Sequence, residues 1–262
     1  MAKLRRPLLS QVLAFCAESP VERVFLEDIA RRGLGRFLAI PGESGLEALC
    51  HIGMNVTPSG NGCGVFARPA LASQARMIVG SQDAVNELWD EVSTHLPPPH
   101  RDSPYEPVYQ LSTPPPPGDS GLRRALNADL DLLVPACAAA HEEELGVNPL
   151  DRDRDGFRWR TRMQITAGRS WLWEEQGRIL FKAEASAWTP SAVQLQQVWS
   201  DPETRGQGNA RRALRDLSRI ILQQAPCLSL FVRAENERAI RLYEDIGMQR
   251  TGYFRSIVLT NS

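Results

Sequence analysis

Val198-Trp-Ser-Asp-Pro-Glu-Thr-Arg-Gly-Gln-Gly-Asn-Ala210 is the stretch on which the fold turns. An apolar, strand-like run, Val193–Ser200, ends inside it, and the Arg-Gly-Gln-Gly-Asn-Ala turn opens a helix. In that helix Ala213, Leu214, Leu217, Ile220 and Ile221 fall on one stripe. Glycines let a backbone approach a ligand closely, and the first N–H groups of a helix have no partner inside it. A strand, a glycine turn and a helix start therefore make a ready site for a pyrophosphate. Read alone, the same pattern also fits an ordinary strand–turn–helix with flexible glycines.

A second stretch follows in order: Val232-Arg-Ala-Glu-Asn-Glu-Arg-Ala-Ile-Arg-Leu-Tyr-Glu-Asp-Ile-Gly-Met248. Asn236 suits a helix cap and Gly247 a helix end. At about 3.6 residues per turn, Asn236 and Tyr243 lie near one face. A tyrosine at such a place is by itself as consistent with a core residue as with a reactive one.

Together the two stretches resemble the cofactor motifs of the GNAT superfamily of N-acetyltransferases. Arg205-x-x-Gly208-x-Ala210 is similar to its pyrophosphate loop. Asn236-x-x-Ala239-x-x-Leu242-Tyr243-x-x-x-Gly247-Met248 is similar to its second motif, above all in the ribosomal-protein alanine N-acetyltransferase branch. The resemblance covers about residues 119–262. With Phe181-Lys-Ala-Glu184 and Gln194-Leu-Gln-Gln-Val-Trp199 included, the whole chain resembles an actinobacterial-type group of GNAT proteins with an extra N-terminal domain.

The resemblance implies acetyl-CoA as co-substrate and direct transfer of its acetyl group to a primary amine in a ternary complex. It implies that the backbone of Val198, Trp199 and Ser200 holds the pantetheine arm like an added strand. Arg205 and the N–H groups of Gly206, Gln207, Gly208, Asn209, Ala210 and Arg211 then take the pyrophosphate, Asn236 contacts CoA, and Tyr243 protonates the departing thiolate. A phenol with a pKa of about 10 suits that last step. A lysine amine, with a pKa of about 10.4, is mostly charged at neutral pH and must lose a proton before it attacks. Related enzymes often carry a glutamate on the strand before Asn236. Phe231 stands there in this chain, so Glu184 is the candidate base, and a solvent-facing strand glutamate is the competing reading.

Around the motifs, a short strand-like Leu122–Leu126 precedes a helix behind Asn127, Ala128–Leu145, and a second helix over Gly156–Thr166. Ser170–Glu174, Ile179–Ala187 and Val193–Ser200 then read as an antiparallel meander. Leu228–Val232 and Thr251–Leu259 are further strands. Substrate loops are expected at Gly146–Asp155 and Gly252–Ser256. The boundary falls at Ser112-Thr-Pro-Pro-Pro-Pro-Gly-Asp-Ser120, because four successive prolines join neither a helix nor a central strand. The division is thus an α/β accessory domain over 1–111, a proline linker over 112–118 and the transferase domain over 119–262. The expected fold class is α/β: a mixed, mostly antiparallel sheet flanked by helices, preceded by a smaller α/β domain or a degenerate copy of the same fold. In the first part, helices are expected over Leu8–Glu18, Val21–Arg32 and Asp83–Ser93, and strands over Phe37–Ile40 and Arg76–Val79. Gly45–Cys50 and the glycine-rich Asn55–Gly64 fit neither class cleanly.

Composition narrows the function. A hydrophobic content of 42% with 23% charged residues is ordinary for a globular chain. A net charge of -1 gives no general attraction to nucleic acid or anionic membrane. No run approaches the roughly 20 apolar residues of a membrane span. Five scattered cysteines, an odd count without a close pair, point to reduced thiols in a cytoplasmic protein, and no Cys or His spacing suits a metal. The partner expected is an amine of unspecified identity, with no nucleic acid or membrane, for a monomer or homodimer. Two alternatives stand beside the transferase: a catalytically silent acyl-CoA-binding regulator, and a tandem acyltransferase using another acyl-CoA. In the tandem case the strand before Gly80-Ser-Gln and the helix after it echo the cofactor motif.

Overall fold

In a computed structural model that describes residues 4–259, the chain passes twice through one order of elements. The first pass is α1 (Leu9–Glu18), α2 (Val24–Arg31), β1 (Arg36–Pro41), β2 (Leu46–Ile52), β3 (Asn55–Gly60), α3 (Ala67–Leu71), β4 (Met77–Ser81), α4 (Gln82–Val92) and β5 (Arg101–Leu111). The second opens with a two-residue strand, β6 (Arg123–Arg124). It continues through α5 (Leu130–Leu145), α6 (Arg154–Thr166), β7 (Ser170–Glu175), β8 (Arg178–Trp188), β9 (Val193–Ser200), α7 (Asn209–Leu222), β10 (Leu228–Phe231), α8 (Glu237–Asp245) and β11 (Gln249–Val258). In each pass two helices precede a three-stranded antiparallel meander. A helix then leads to a strand parallel to the meander's third.

The two passes share one sheet of eleven strands among the described residues, ordered β1-β2-β3-β4-β11-β5-β10-β9-β8-β7-β6. The last strand of each pass crosses into the other. β5 lies between β10 and β11, with Phe231 opposite Val108 and Leu228 opposite Leu111. β11 lies between β5 and β4, with Phe254 opposite both Glu106 and Ser81. The mostly antiparallel α/β sheet flanked by helices is the expected fold class, and a distinct N-terminal unit is present.

Among the described residues β11 is the one strand after Tyr243, and it pairs with β4 and β5, so without β5 the edge of β10 that faces away from β9 would be open, and unpaired edges are costly to leave exposed. β5 closes it. Nothing in the sequence reading placed a strand at Arg101–Leu111, where Pro104 and Pro107 disfavour one. The sheet accommodates them where pairing is irregular. The register with β11 shifts between Phe254 and Ser256, opposite Pro104, and Pro107 serves as an acceptor, taking the Val232 N–H at 3.2 Å. Two further expectations are corrected. Gly252–Ser256 is interior to β11 instead of a substrate loop, and the strand-like Leu122–Leu126 shrinks to β6.

The proline stretch is docked, not free. Gly118 N–H, Ser120 N–H and the Ser120 hydroxyl donate to the Asp216 carboxylate on α7 at 2.7, 2.9 and 2.6 Å. Arg219 donates to the Pro115 carbonyl at 2.9 Å. A Cβ on Gly118 would stand 1.9 Å from the Arg212 carbonyl oxygen, so only glycine fits there. Elsewhere α2 packs on β8. Asp28, 2% exposed, takes two hydrogen bonds from the Arg169 guanidinium at 3.0 and 2.6 Å. Val24 joins a small core with Ala187, Ala192 and Cys227. The largest core joins Tyr109 and Leu111 of β5 to α7, α8 and the second meander. All five cysteines are buried free thiols, and no helix among the described residues is long and apolar enough to cross a membrane.

Strand exchange makes the second pass dependent on the first. A fragment 119–262 lacks β5, so it exposes an edge of both β10 and β11 and loses two large core side chains. It is expected to aggregate and to show no cooperative thermal transition by circular dichroism. A fragment 98–262 restores the strand and should be the more soluble of the two on size-exclusion chromatography. Equal behaviour of the two fragments would contradict the assigned role of β5.

Candidate functional site

β9 and β10 pair only at their beginnings, Val193 with Leu228 and Gln194 with Ser229, and then diverge. On its other side β9 stays hydrogen-bonded to β8 as far as Ser200, opposite Phe181. The backbone edge of Val198, Trp199 and Ser200 facing β10 is therefore open inside the sheet. A bulge at Gln197, which adopts a left-handed φ of 49°, bends β9 at the point of divergence. Such an edge can take an extended amide-containing ligand as an additional strand.

The glycine turn lies beyond the end of β9. Gly206 and Gly208 have φ of 85° and 83°, and a Cβ at either would meet no atom within 4 Å. Backbone conformation and open space ahead of the loop, not packing, are what call for glycine here. Gly208 caps α7, a helix of 14 residues with no acidic side chain in its first turn. Its leading N–H groups face a cavity of about 420 Å³. Val198, Trp199 and Ser200 line that cavity from β9. Arg205, Gly206, Gly208, Asn209, Ala210 and Arg211 line it from the turn, and Asn236 and Tyr243 from α8. Of the expected contacts only Gln207 is outside, exposed at the tip of the turn. Two side chains are already engaged. Asn236 accepts the Ala239 N–H at 3.2 Å as the cap of α8, and Arg205 grips both Glu143 oxygens at 2.7 Å. Glu143, on α5, also accepts the Trp199 indole N–H at 3.1 Å and so braces strand and turn together. The sequence reading missed Glu143, because only the fold brings α5 to the loop. An open backbone edge, a glycine turn and a helix start are together suited to an extended, amide-containing ligand that carries a phosphate.

Tyr243, 5% exposed, is at the junction of this cavity and a second one of about 170 Å³ between β9 and β10. Burial, with the Glu144 charge adding to it, pushes its phenol well above the usual range, so the group stays protonated. The second cavity is lined by Leu195–Trp199, Phe231–Arg233, the end of α5 and Glu106 of β5. It shares Gln196 and Gln197 with a third cavity of about 880 Å³. Residues of both passes wall this larger space: Asn55 and Gln74–Met77 from the first, His141, Phe157 and Arg160 from the second. Pro149, Arg152 and Asp153, within the substrate loop expected over Gly146–Asp155, line it as well.

Glu184 opens onto the large cavity, and it is neither solvent-facing nor free. Lys182, fully buried, donates to it at 2.9 Å and to Gln197 at 2.8 Å, and Cys137 bonds it at 3.2 Å. Burial works against both charges. The Lys182 ammonium nevertheless holds the Glu184 carboxyl below its usual range, and Glu184 holds Lys182 above its own. A carboxylate so held is a poor proton acceptor. Asp201 and Glu203 both bind Arg178, the former in a very short contact and the latter at 2.7 Å.

The first pass has the corresponding splay, with β3 and β4 paired only at Asn55–Met77 and Val56–Ile78. The counterpart of the glycine turn is Gly60–Gly64, not the Gly80 turn, which follows the strand parallel to β3 and so corresponds to the second motif. In place of an open cradle, the Glu87 carboxylate of α4 accepts the Cys63 N–H at 2.6 Å. Its own acid occupies the amide donor that an anionic ligand would need. Among the described residues no group of three or more His, Cys, Asp or Glu is placed to hold a metal.

Residues 135–248 match the model of the Acetyltransferase (GNAT) family, and residues 35–133 match a domain of unknown function (DUF4081). No curated protein matches the sequence. Among solved structures, an acetyltransferase of the GNAT family from Colwellia psychrerythraea aligns over 98% of this chain and 100% of its own, with TM-score 0.58 and 11% identity. A GCN5-related N-acetyltransferase from Sphaerobacter thermophilus aligns over 99% and 96%, with TM-score 0.61 and 15% identity. A GNAT-family acetyltransferase structure from Novosphingobium aromaticivorans aligns over 93% and 99%, with TM-score 0.55 and 19% identity. At these identities the likeness is one of fold, and it spans both passes of the chain.

The Lys182–Glu184 pair generates a stability prediction. Lys182→Met strands a buried carboxylate and should cost about 3–5 kcal/mol in urea unfolding at pH 7. In the native protein the depressed Glu184 contributes stability above the ordinary carboxylate pKa and loses it as pH falls through its folded value. In Lys182→Met the sign inverts: burial now raises the Glu184 pKa, so acidification should recover stability. The double variant with Glu184→Gln should recover most of it at pH 7, and a double variant as weak as the single one would refute the pairing.

Proposed function

We propose that this chain is an acetyl-CoA-dependent N-acetyltransferase that moves the acetyl group to a primary amine by direct transfer in a ternary complex. One observation carries the reading. Three cavities adjoin in series through shared lining residues, from the glycine turn, past Tyr243 and the split between β9 and β10, to the large space between the two passes. That series suits a long nucleotide thioester at one end and an acceptor at the other.

In this reading the N–H groups of the turn and of α7 hold pyrophosphate, and the free edge of Val198–Ser200 takes the pantetheine amides. The thioester supplies an activated acetyl group. The chain's own residues do the remaining work. The split strands fix the two reactants end to end, which converts an encounter in solution into a reaction between neighbours. Tyr243, kept protonated by burial, gives its proton to the departing sulfur. Residues 1–111 act as an accessory unit that walls the acceptor space, and the amine is small enough, or projects far enough from a protein, to fill that cavity. The silent-regulator alternative draws on Phe231, which leaves the usual position of a base apolar. A buried, protonated Tyr243 beside the split is what a mere binding site has no need of.

Calorimetry on the full chain should give a micromolar dissociation constant for acetyl-CoA, on the order of -8 kcal/mol. Gly208→Glu puts a carboxylate into the cradle from a left-handed backbone position and should abolish binding. Unchanged affinity in that variant would remove the cofactor assignment. Turnover is read as free thiol released from acetyl-CoA against a panel of amines. There Tyr243→Phe should lower the rate about 10²–10⁴-fold with little change in affinity. A rate within a few fold of the native protein would mean that another group protonates the thiolate.

A further inference from the structure

Within the transferase reading, the proton leaving the amine still needs a destination. Five acidic side chains are buried among the described residues: Glu27, Asp28, Glu106, Glu184 and Asp201. Four have a cation within ion-pair distance, namely Arg31, Arg169, Lys182 and Arg178 in that order. Glu106 has none; its Oε2, like that of Glu27, is buried with no hydrogen-bond partner, but Glu27 has Arg31 at its other oxygen. Buried charges are retained at a cost unless they are paired, so the exception among five calls for a reason.

Its place supplies one. Glu106 is 3% exposed on β5 and lines the cavity between β9 and β10 together with Tyr243. Phe231, where related enzymes often carry a glutamate, lies on the neighbouring strand opposite Val108. Val108 is two residues from Glu106, so the two project to the same face of the sheet. The carboxyl is therefore displaced by one strand from the usual position and faces the same space. Phe254 stands opposite Glu106 on β11, and the Phe231 and Phe254 rings are 5.2 Å apart, so its flanks are apolar.

We propose that Glu106, contributed by the first pass of the chain, is the base that takes the proton from the acceptor amine. The nitrogen lone pair forms the new C–N bond and the C–S bond breaks. The surplus proton on nitrogen goes to the Glu106 carboxylate, and the sulfur takes the Tyr243 proton. Return of a proton from Glu106 to Tyr243 through solvent closes the cycle, with one proton released overall when the amine arrives as ammonium. The active site is then composite, with its acid on α8 of the second pass and its base on β5 of the first.

The electrostatics suit the task. Burial lifts the Glu106 carboxyl to about 7, against the opposing pull of a Ser256 hydrogen bond and of Arg101 and Arg233, with Glu144 adding to the rise. These groups face it from β11, β5 itself, the segment after β10 and α5, and Tyr243 faces the same cavity from α8. A base with a pKa near the working pH is both available and strong enough. Glu144 is the rival carboxylate in the cavity. Burial raises its carboxyl as well, but its side chain is exposed on the last turn of α5, not enclosed on the sheet as Glu106 is, and the carbonyls of Glu143 and Glu144 there are held by Arg233 and Arg101.

The test uses the full chain, acetyl-CoA and whichever amine of a panel of peptide α-amines, lysine, polyamines and hydroxylamine the native protein acetylates fastest. Glu106→Gln should lower kcat about 10²-fold or more, leave the acetyl-CoA dissociation constant unchanged, and remove the acidic limb near pH 7 from the kcat/KM profile. Glu144→Gln should move that limb to lower pH without removing it, since it withdraws a neighbouring negative charge. A folding defect is separable by sign. A carboxyl raised on folding contributes stability at low pH that is lost as pH rises through about 7, so Glu106→Gln should be at least as heat-stable as the native protein at pH 8. Full activity in Glu106→Gln, an unchanged acidic limb, or loss of the limb in Glu144→Gln instead would overturn the assignment. If the native protein binds no acetyl-CoA and acetylates no amine, the transferase reading itself fails and this inference with it.

Discussion

The insertion of β5 between β10 and β11 is the constraint on which the rest of the molecule depends. A strand so placed has two hydrogen-bonded neighbours from the far end of the chain, and its own sequence partner, β4, is reached only across β11. Neither pass can complete its sheet alone. The proline stretch follows directly from this topology. The chain must leave the middle of a sheet at Leu111 and travel to its far edge at Arg123, and a segment with fixed φ and few N–H groups can cross a surface without demanding partners. Docking on α7 through Asp216 and Arg219 turns that passage into part of the fold.

Repetition of one element order makes the differences between the passes informative. Both split a parallel strand pair after two residues, and both follow the third meander strand with a glycine-containing turn. In the second pass the turn faces open space, and the helix behind it starts with no acidic side chain. In the first the Glu87 carboxylate bonds the turn's own amide, and the following helix has only five residues. Two copies of a fold joined through a shared sheet need only one cradle for an anionic ligand. The other is free to be filled with an acid and to serve as wall and support.

Much of the second pass was legible in the sequence because its signals are local. Turn glycines, a cap at Asn236 and an apolar stripe on α7 act within a few residues of themselves, and every expected cradle residue except Gln207 lines one cavity. What escaped reading depended on contacts distant along the chain. Pro104 and Pro107 argue against a strand until pairing with β11 supplies the irregular register that tolerates them. Glu143 has no local mark that ties it to Arg205 and Trp199. For Glu184 the strand pattern fixed the position but not the partner. Lys182 is two residues away on the same face, and its burial, which the sheet decides, makes the candidate base half of an ion pair.

Electrostatic pairing then sorts the buried charges by what they do. Asp28 with Arg169 ties α2 to the second meander, and Lys182 with Glu184 fixes the bulge through Gln197. Both are closed units whose charges cancel at short range, and closed units stabilise a particular arrangement without offering reactivity. Glu106 is different in kind. It is held on a central strand beside the Phe231 and Phe254 rings, no cation of the described residues within ion-pair distance offsets its desolvation, and it lines the cavity that lies between the other two. A fold tolerates such a group where the energy lost in the ground state is regained in a process the isolated structure does not include. By that argument the chemistry is where pairing stops, and pairing stops on the strand that the second pass must borrow from the first.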